Sequence, residues 1–487
     1  MEMDSKLTGK KSLKMNAVMN ACLTVAGMLF SLVTFSYVSR VIGPGGTGRV
    51  TFVFSIVTYF TMFAQLGIPT YGIRACAKVR DDHVKLSRTA QELFIISIVM
   101  TLLAYVVLAV TVIAVPKLRE DKVVFLVAAN VIWLSTVGME WLFKALEEYS
   151  YITIRSVLFK FIALVAMVAL VRDGGDDVFY AVVVVIGGHL SYLCNLFYAR
   201  KYITPQPLSE CRFGQHMKPV LLFFAMSCAT TIYTYLDTAM LGFMKTDVDV
   251  GYYHAATRIK TLLVGVVTSL GAVLLPRFSY YVEHKMTQQF MRGASRALHF
   301  VFFISIPFTL FFILFAGGGI RILSGNEFDG AILPMQIIMP TLILIGITNV
   351  LGIQMLIPMG KERIVLYSEI AGALTDVILN LLLIPTYAAS GAAIGTLVAE
   401  VVVLLVQAVG MKAELPGLFG NFHINKILVA TVAATAVSLM ISRLSDNVII
   451  SFILTGAAFF GTYALALLIL KEKLLLEVAE DMKKHLR

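Results

Sequence analysis

Charge is scarce in this chain. Only 14% of its 487 residues are Asp, Glu, Lys or Arg, about half of what soluble proteins carry. That shortage excludes a water-facing globular surface over most of the length. Cysteine is sparse too. Cys22, Cys76, Cys194, Cys211 and Cys228 include no CxxC pair, which leaves neither a disulfide framework nor a thiolate metal site. Phosphate-binding motifs are lacking as well. Gly43-Pro-Gly45-Gly-Thr-Gly48 formally satisfies GxGxxG, but it joins two apolar runs, and Arg49-Val50 stand where a P-loop requires Lys-Ser/Thr. The segment reads as a turn, and the chain carries no ATPase of its own. The net charge of +10 does not indicate nucleic acid, because the basic residues lie in scattered links rather than on one face.

Apolar residues fill the space. They make up 58% of the chain, and runs of roughly 20, the length of a helix crossing a bilayer, recur along it. The expected fold is an all-α membrane protein of about fourteen spans. They fall near 15–39, 50–73, 93–115, 123–143, 152–171, 178–199, 219–243, 251–275, 297–316, 331–357, 364–385, 390–410, 427–442 and 448–470. Alternate links hold most of the Lys and Arg. Lys6, Lys10, Lys11 and Lys14 precede the first span, and Arg74, Lys78, Arg80, Lys85 and Arg88 follow the second. Lys144 and Arg155 follow the fourth, Arg200, Lys201, Arg212 and Lys218 the sixth, and Lys471, Lys473, Lys483, Lys484 and Arg487 close the chain. That bias predicts both termini in the cytoplasm. Lys160 is left inside the fifth span.

A faint repeat predicts two halves. Tyr37-Val-Ser39 and Tyr235-Leu-Asp237 are each followed by a link and a glycine-led span (Gly48, Gly251) that ends near proline (Pro69, Pro276). The division expected is a cytoplasmic segment 1–14, a first lobe 15–200, a cytoplasmic linker 201–218, a second lobe 219–410, two further spans within 427–470, and a cytoplasmic tail 471–487.

Charged residues inside spans are costly in lipid and normally face a wet cavity or a partner. In span eight, His254, Arg258, Thr261, Gly265 and Thr268 share one helix face. Arg258 either snorkels to the surface or lines a cavity as an anion partner, with Asp237 as its nearby carboxylate and Tyr233, Tyr252 and Tyr253 beside them. Span four sets Asn130, Trp133, Glu140 and Lys144 on one stripe next to Trp141; the tryptophans are interfacial anchors or sugar-facing lining. Span eleven aligns Glu369, Asp376 and Asn380, and Glu400 lies in span twelve. Those carboxylates could relay H⁺ or hold Na⁺, or simply make interhelical hydrogen bonds. No catalytic residue, resident metal or bound cofactor is expected, and the outer links are too short to carry an enzyme's acid, base or metal ligands.

Several stretches resemble one known family. They are Ser39-Arg40-Val-Ile-Gly43-Pro44-Gly-Gly-Thr-Gly48, Leu66-Gly67-Ile-Pro69-Thr-Tyr71-Gly72-Ile-Arg74 and Glu140-Trp141-Leu-Phe-Lys144-Ala-Leu-Glu147-Glu148-Tyr149. Others are Leu236-Asp237-Thr-Ala-Met240-Leu241-Gly242, Gly251-Tyr-Tyr-His-Ala-Ala-Thr-Arg258, Leu275-Pro276-Arg277-Phe-Ser279, Asn380-Leu-Leu-Leu-Ile-Pro385 and Gly391-Ala-Ala-Ile-Gly395-Thr. Together they resemble the polysaccharide repeat-unit (O-antigen, capsule and exopolysaccharide) flippases of the multidrug/oligosaccharidyl-lipid/polysaccharide exporter superfamily. The resemblance implies two six-helix lobes forming a V, here with two extra C-terminal helices, in the bacterial cytoplasmic membrane. It implies alternating-access transfer of undecaprenyl-diphosphate-linked oligosaccharides for surface polysaccharide biosynthesis. Its implied partners are that substrate, membrane lipids and other polysaccharide-assembly proteins. Arg40, Arg74 and Arg258 match cavity arginines of the related lipid II flippases, whereas Gly46 stands where those carry another arginine, which argues for a different glycan. The competing expectation is a cation-coupled multidrug exporter of the same superfamily. Such a cavity would be rich in carboxylates, so the three arginines count against it.

Overall fold

The computed structural model describes residues 13–269, 271–419 and 424–472. Lys6, Lys10 and Lys11 of the expected N-terminal segment, and Lys473, Lys483, Lys484 and Arg487 of the expected tail, lie outside the described residues. All regular structure among the described residues is helical. The chain divides into two compact units, residues 1–250 and 251–487.

The first unit holds α1 (Leu13–Gln65), α2 (Ile68–Ala77), α3 (His83–Ala114), α4 (Pro116–Glu120), α5 (Lys122–Ala128), α6 (Asn130–Gly138), α7 (Glu140–Ala145), α8 (Tyr149–Leu170), α9 (Asp177–Val185), α10 (Tyr192–Ala199) and α11 (Gly214–Met244). The second begins within α12 (Asp247–Val267). It continues through α13 (Gly271–Glu283), α14 (Thr287–Leu314), α15 (Ala316–Ser324), α16 (Ile332–Ile338), α17 (Thr341–Thr348), α18 (Glu362–Gly410), α19 (Leu415–Phe419), α20 (Ile424–Ile441) and α21 (Val448–Ile469).

Among the described residues, ten helical stretches are long and apolar enough to cross a membrane, or eleven if the bent pair Asn326–Ile338 and Thr341–Leu356 is one span. The difference from the expected fourteen lies in three places. Val18–Ala77 runs as one stretch of 60 residues, which would be about 90 Å long if straight, some three times a hydrocarbon core. It breaks at Gly43, where φ is 66°, a region open to glycine at little cost, and Pro44 restarts the helix where its missing N–H is not needed. The expected turn thus shrinks to one residue. α18 likewise covers two expected spans and folds back at Ala388, where φ is 47°. Its two arms then run side by side, since Gln407 donates to Ser368 Oγ at 3.1 Å and Gly410 packs on Ile364. The third place is α12, which is too polar for the count because it carries Asp247, Asp249, His254, Arg258 and Lys260.

Exposure marks the lipid-facing sides. Leu102, Val106, Val110 and Ile113 form a bare row on α3, as do Phe161, Val165 and Val168 on α8. Such rows would drive aggregation in water, but acyl chains are as apolar as the side chains themselves.

Within the first unit, Gly67 has φ 73°, and its Cα lies so close to the backbone of Phe223 and Phe224 on α11 that a Cβ would collide. Phe52 of α1 lies over Gly242 of α11 and meets Phe243 edge-on at 5.2 Å. α11, assigned from sequence to the second lobe, therefore packs within the first unit. The link ahead of it is held down along α3. Thr204 N–H donates to Ser87 Oγ at 3.1 Å, and Gln91 and Gln206 exchange bonds of 2.7 and 2.8 Å. The second unit contains an aromatic core in which Phe311 of α14 meets Phe452, Phe459 and Phe460 of α21 at 5.2–5.3 Å.

Candidate functional site

The candidate residues are divided between the two units. In the first, Arg40 is exposed at the end of the first arm of α1, and its guanidinium bonds the carbonyl and the hydroxyl of Ser36 one turn back. Arg74 is exposed in the last turn of α2. Asp237 is buried in α11, and Tyr233 of the same helix is half-buried.

The expected stripe on span four does not hold. Met139, with φ 38°, separates α6 from α7, so Trp133 and Glu140 no longer share a helix face. Trp133 bonds Asn130 Oδ1 at 3.0 Å. Trp141 is neither anchor nor lining. It is buried, and its ring fills the space left by Gly72 of α2.

Glu140 belongs to a network instead. Lys144 Nζ lies 2.8 Å and Arg155 Nη2 3.2 Å from its two oxygens. Arg155 Nη1 also donates to Asn195 Oδ1, and Asn195 Nδ2 donates to the carbonyl of Gly138 at the Met139 break. The rings of Tyr151 and Tyr192 lie 5.6 and 5.2 Å from the guanidinium, close enough for cation–π attraction. Arg155 was expected in a link. It is in fact buried in α8, so it drops out of the charge bias. Periodicity could not show this, because its partners Glu140, Tyr192 and Asn195 come from two other helices.

Two further clusters went unread in the sequence. Arg49, the residue that spoils the P-loop motif, bonds Asp121 at 2.5 Å and Asp177 at 2.7 Å, and Lys117 pairs with Asp247 at 3.1 Å. Burial pushes the Asp121 carboxyl up from its usual range, against the opposing pull of Arg49. Nearer the other helix ends, the fully buried Glu92 accepts from His216 Nε2 at 2.6 Å, from Arg212 N–H and from Gln215, while Tyr71 Oη meets His216 Nδ1 at 2.9 Å.

In the second unit Arg258 is half-buried in α12. Its neighbours Tyr252 and Tyr253 are committed to packing. The Tyr252 ring covers Gly330, and the Tyr253 hydroxyl meets Thr396 Oγ1 at 3.0 Å. The carboxylates on span eleven do come together with span twelve. Asp376 and Asn380, both buried, direct side-chain oxygens at the bare Cα of Gly395, and Glu369 lies within the field of the buried Glu400. The fold-back at Ala388 is what makes these contacts.

The fold has solved counterparts among membrane proteins. Superposition on the lipid II flippase MurJ, in its inward closed conformation, gives a TM-score of 0.77 with 13% identity over 94% of this chain and 100% of that one. A multidrug resistance MATE family transporter of the MOP superfamily, inward-facing, gives 0.59 with 15% identity over 81% and 95%. At such identities the likeness concerns the fold alone. The family comes from sequence. The profile described as "Polysaccharide biosynthesis protein" matches residues 13–282, and the chain belongs to that family. It is 23% identical over 408 residues to the "Putative O-antigen transporter" of Escherichia coli (strain K12), covering 81% of this chain and 96% of that protein. It is 26% identical over 242 residues to the "Probable flippase AglR" of Haloferax volcanii, covering 48% and 50%.

Proposed function

We propose that this multi-pass membrane protein is a flippase. Its cargo would be undecaprenyl-diphosphate-linked oligosaccharide repeat units, carried across the bacterial cytoplasmic membrane by alternating access without chemical change. The observation that carries this reading is the match, over 81% of this chain and 96% of the other, to the "Putative O-antigen transporter" of Escherichia coli (strain K12). The physics is consistent with it. A diphosphate and sugar hydroxyls lose their water in hydrocarbon at prohibitive cost. A hydrated path with cations removes most of that cost, while the polyprenyl tail stays in lipid. Arg40, Arg74 and Arg258 are the cations assigned to the diphosphate, because a guanidinium binds phosphate oxygens two at a time. Alternating access of this kind is typical of carriers built from two repeats. Net direction requires a coupled ion or the membrane potential, and Glu369, Asp376 and Glu400 are the groups proposed for H⁺ or Na⁺. Both termini are placed in the cytoplasm by the charge bias.

The test is Arg258→Ala in a strain lacking its own copy of the transporter. Surface polysaccharide should be lost while the protein still inserts, and Arg258→Lys should restore part of it. Full polysaccharide output from the inserted alanine variant would refute the assigned role. The MATE-like fold keeps a cation-coupled drug exporter as the second reading, and dye resistance conferred by expression would favour it.

A further inference from the structure

Lys160 sits at the middle of α8, a 22-residue apolar helix. No hydrogen bond or ion pair reaches its ammonium among the described residues. Against α8 packs a break in regular helix. His189 lies in the π-helical turn Ile186–Leu190, a backbone form that gathers at functional sites, and its Nδ1 is buried with no hydrogen-bond partner. Its ring meets Tyr192 edge-on at 5.6 Å, and the charges of Lys160 and Glu140 reach it. Gly187 seats the turn against Phe30 of α1 and Ala163 of α8, whereas Gly188 faces nothing within 4 Å. Charge does not balance here. Lys144, Arg155 and Lys160 face the single acid Glu140, and a surplus of cations inside a membrane span is expensive unless something pairs with it.

We infer that Lys160 and His189, backed by the Arg155–Glu140 pair, form an oxyanion-binding subsite for the transported glycolipid. The inference rests on the transport reading above. The ammonium and an imidazole N–H would both donate to one carboxylate or phosphate group, with the space beside Gly188 admitting it. Two parts of a lipid-linked glycan supply that chemistry, the diphosphate and an acidic sugar.

The experiment uses purified full-length protein in vesicles of zwitterionic phosphatidylcholine, which offers no net anionic headgroup. The probes are synthetic polyprenyl-diphosphate disaccharides ending in a hexuronate or in the matching neutral hexose. Losing a charge-assisted bond should slow Lys160→Gln about tenfold or more, with Lys160→Arg retaining transport and His189→Ala weakened in the same direction. Slowing of both lipids assigns the subsite to the diphosphate, and slowing of the hexuronate alone assigns it to the sugar. Transport of both within about twofold of wild type by a folded Lys160→Gln protein overturns the inference and leaves the flippase reading intact. If wild type moves neither lipid, the flippase reading fails. Direct binding of inorganic pyrophosphate and of glucuronate then decides the subsite, which stands only if Lys160→Gln binds one of them more weakly than wild type.

Discussion

Two charged clusters in the first unit solve opposite problems. Around Arg49, each cation has its acid: Arg49 grips Asp121 and Asp177, and Lys117 takes Asp247. These groups sit where helices end, and they tie α1, α9 and the links about α4 together. Around Glu140 the count is uneven. One carboxylate serves Lys144 and Arg155, while Lys160 in mid-helix has no ion pair among the described residues. The first cluster has what a fastening needs and nothing to spare. The second is part fastening and part surplus, and that surplus in an apolar span is what the inferred subsite draws on. The lesson is that pairing, rather than burial alone, separates structural from functional charge.

Four substitutions break or sharpen that contrast. Arg155→Ala should be the most damaging, at about 3 kcal/mol, because it leaves Asn195 Oδ1 and one oxygen of Glu140 without their donor in the interior, Lys144 still holding the other. Thermal unfolding in detergent would show it, and an unchanged midpoint would remove Arg155 from the fastening class. Arg49→Ala should cost about 2 kcal/mol, less than a fully buried pair because its side chain is 32% exposed. Recovery of stability in Arg49→Ala/Asp121→Asn would identify the stranded carboxylate as the cause. Lys117→Ala removes a single half-buried pair and should cost about 1 kcal/mol, less in high salt. Lys160→Gln should leave stability unmoved to within about 0.5 kcal/mol while impairing transport. A loss as large as that of Arg49→Ala would erase the distinction between the clusters.

Legibility in the sequence followed the range of each interaction. Apolar run length alone made the spans visible, and Asp376 and Asn380 share a helix face because they lie one turn apart, both meeting Gly395. The stripe from Asn130 to Lys144 failed because nothing local signals that Met139 takes a left-handed conformation and turns the helix. Trp141 was misread because the space it fills is provided by Gly72, on another helix. Arg155 looked like an ordinary link residue because Tyr192 and Asn195 lie some forty positions away. Arg49 drew notice only for what it spoiled, although its two aspartates are 72 and 128 residues distant.

By itself the sequence determined that this chain belongs in a bilayer as a helical bundle, and its motifs pointed to a family of glycolipid carriers. Both follow from near-neighbour facts, since hydrocarbon thickness sets the length of a span and short motifs stay contiguous. Only the tertiary structure decided which charges are spent on one another and which are left over. Pairing depends on groups brought within about 3 Å by helices far apart in the chain, and in a medium of low dielectric that distance fixes whether a charge is a fastening or a site.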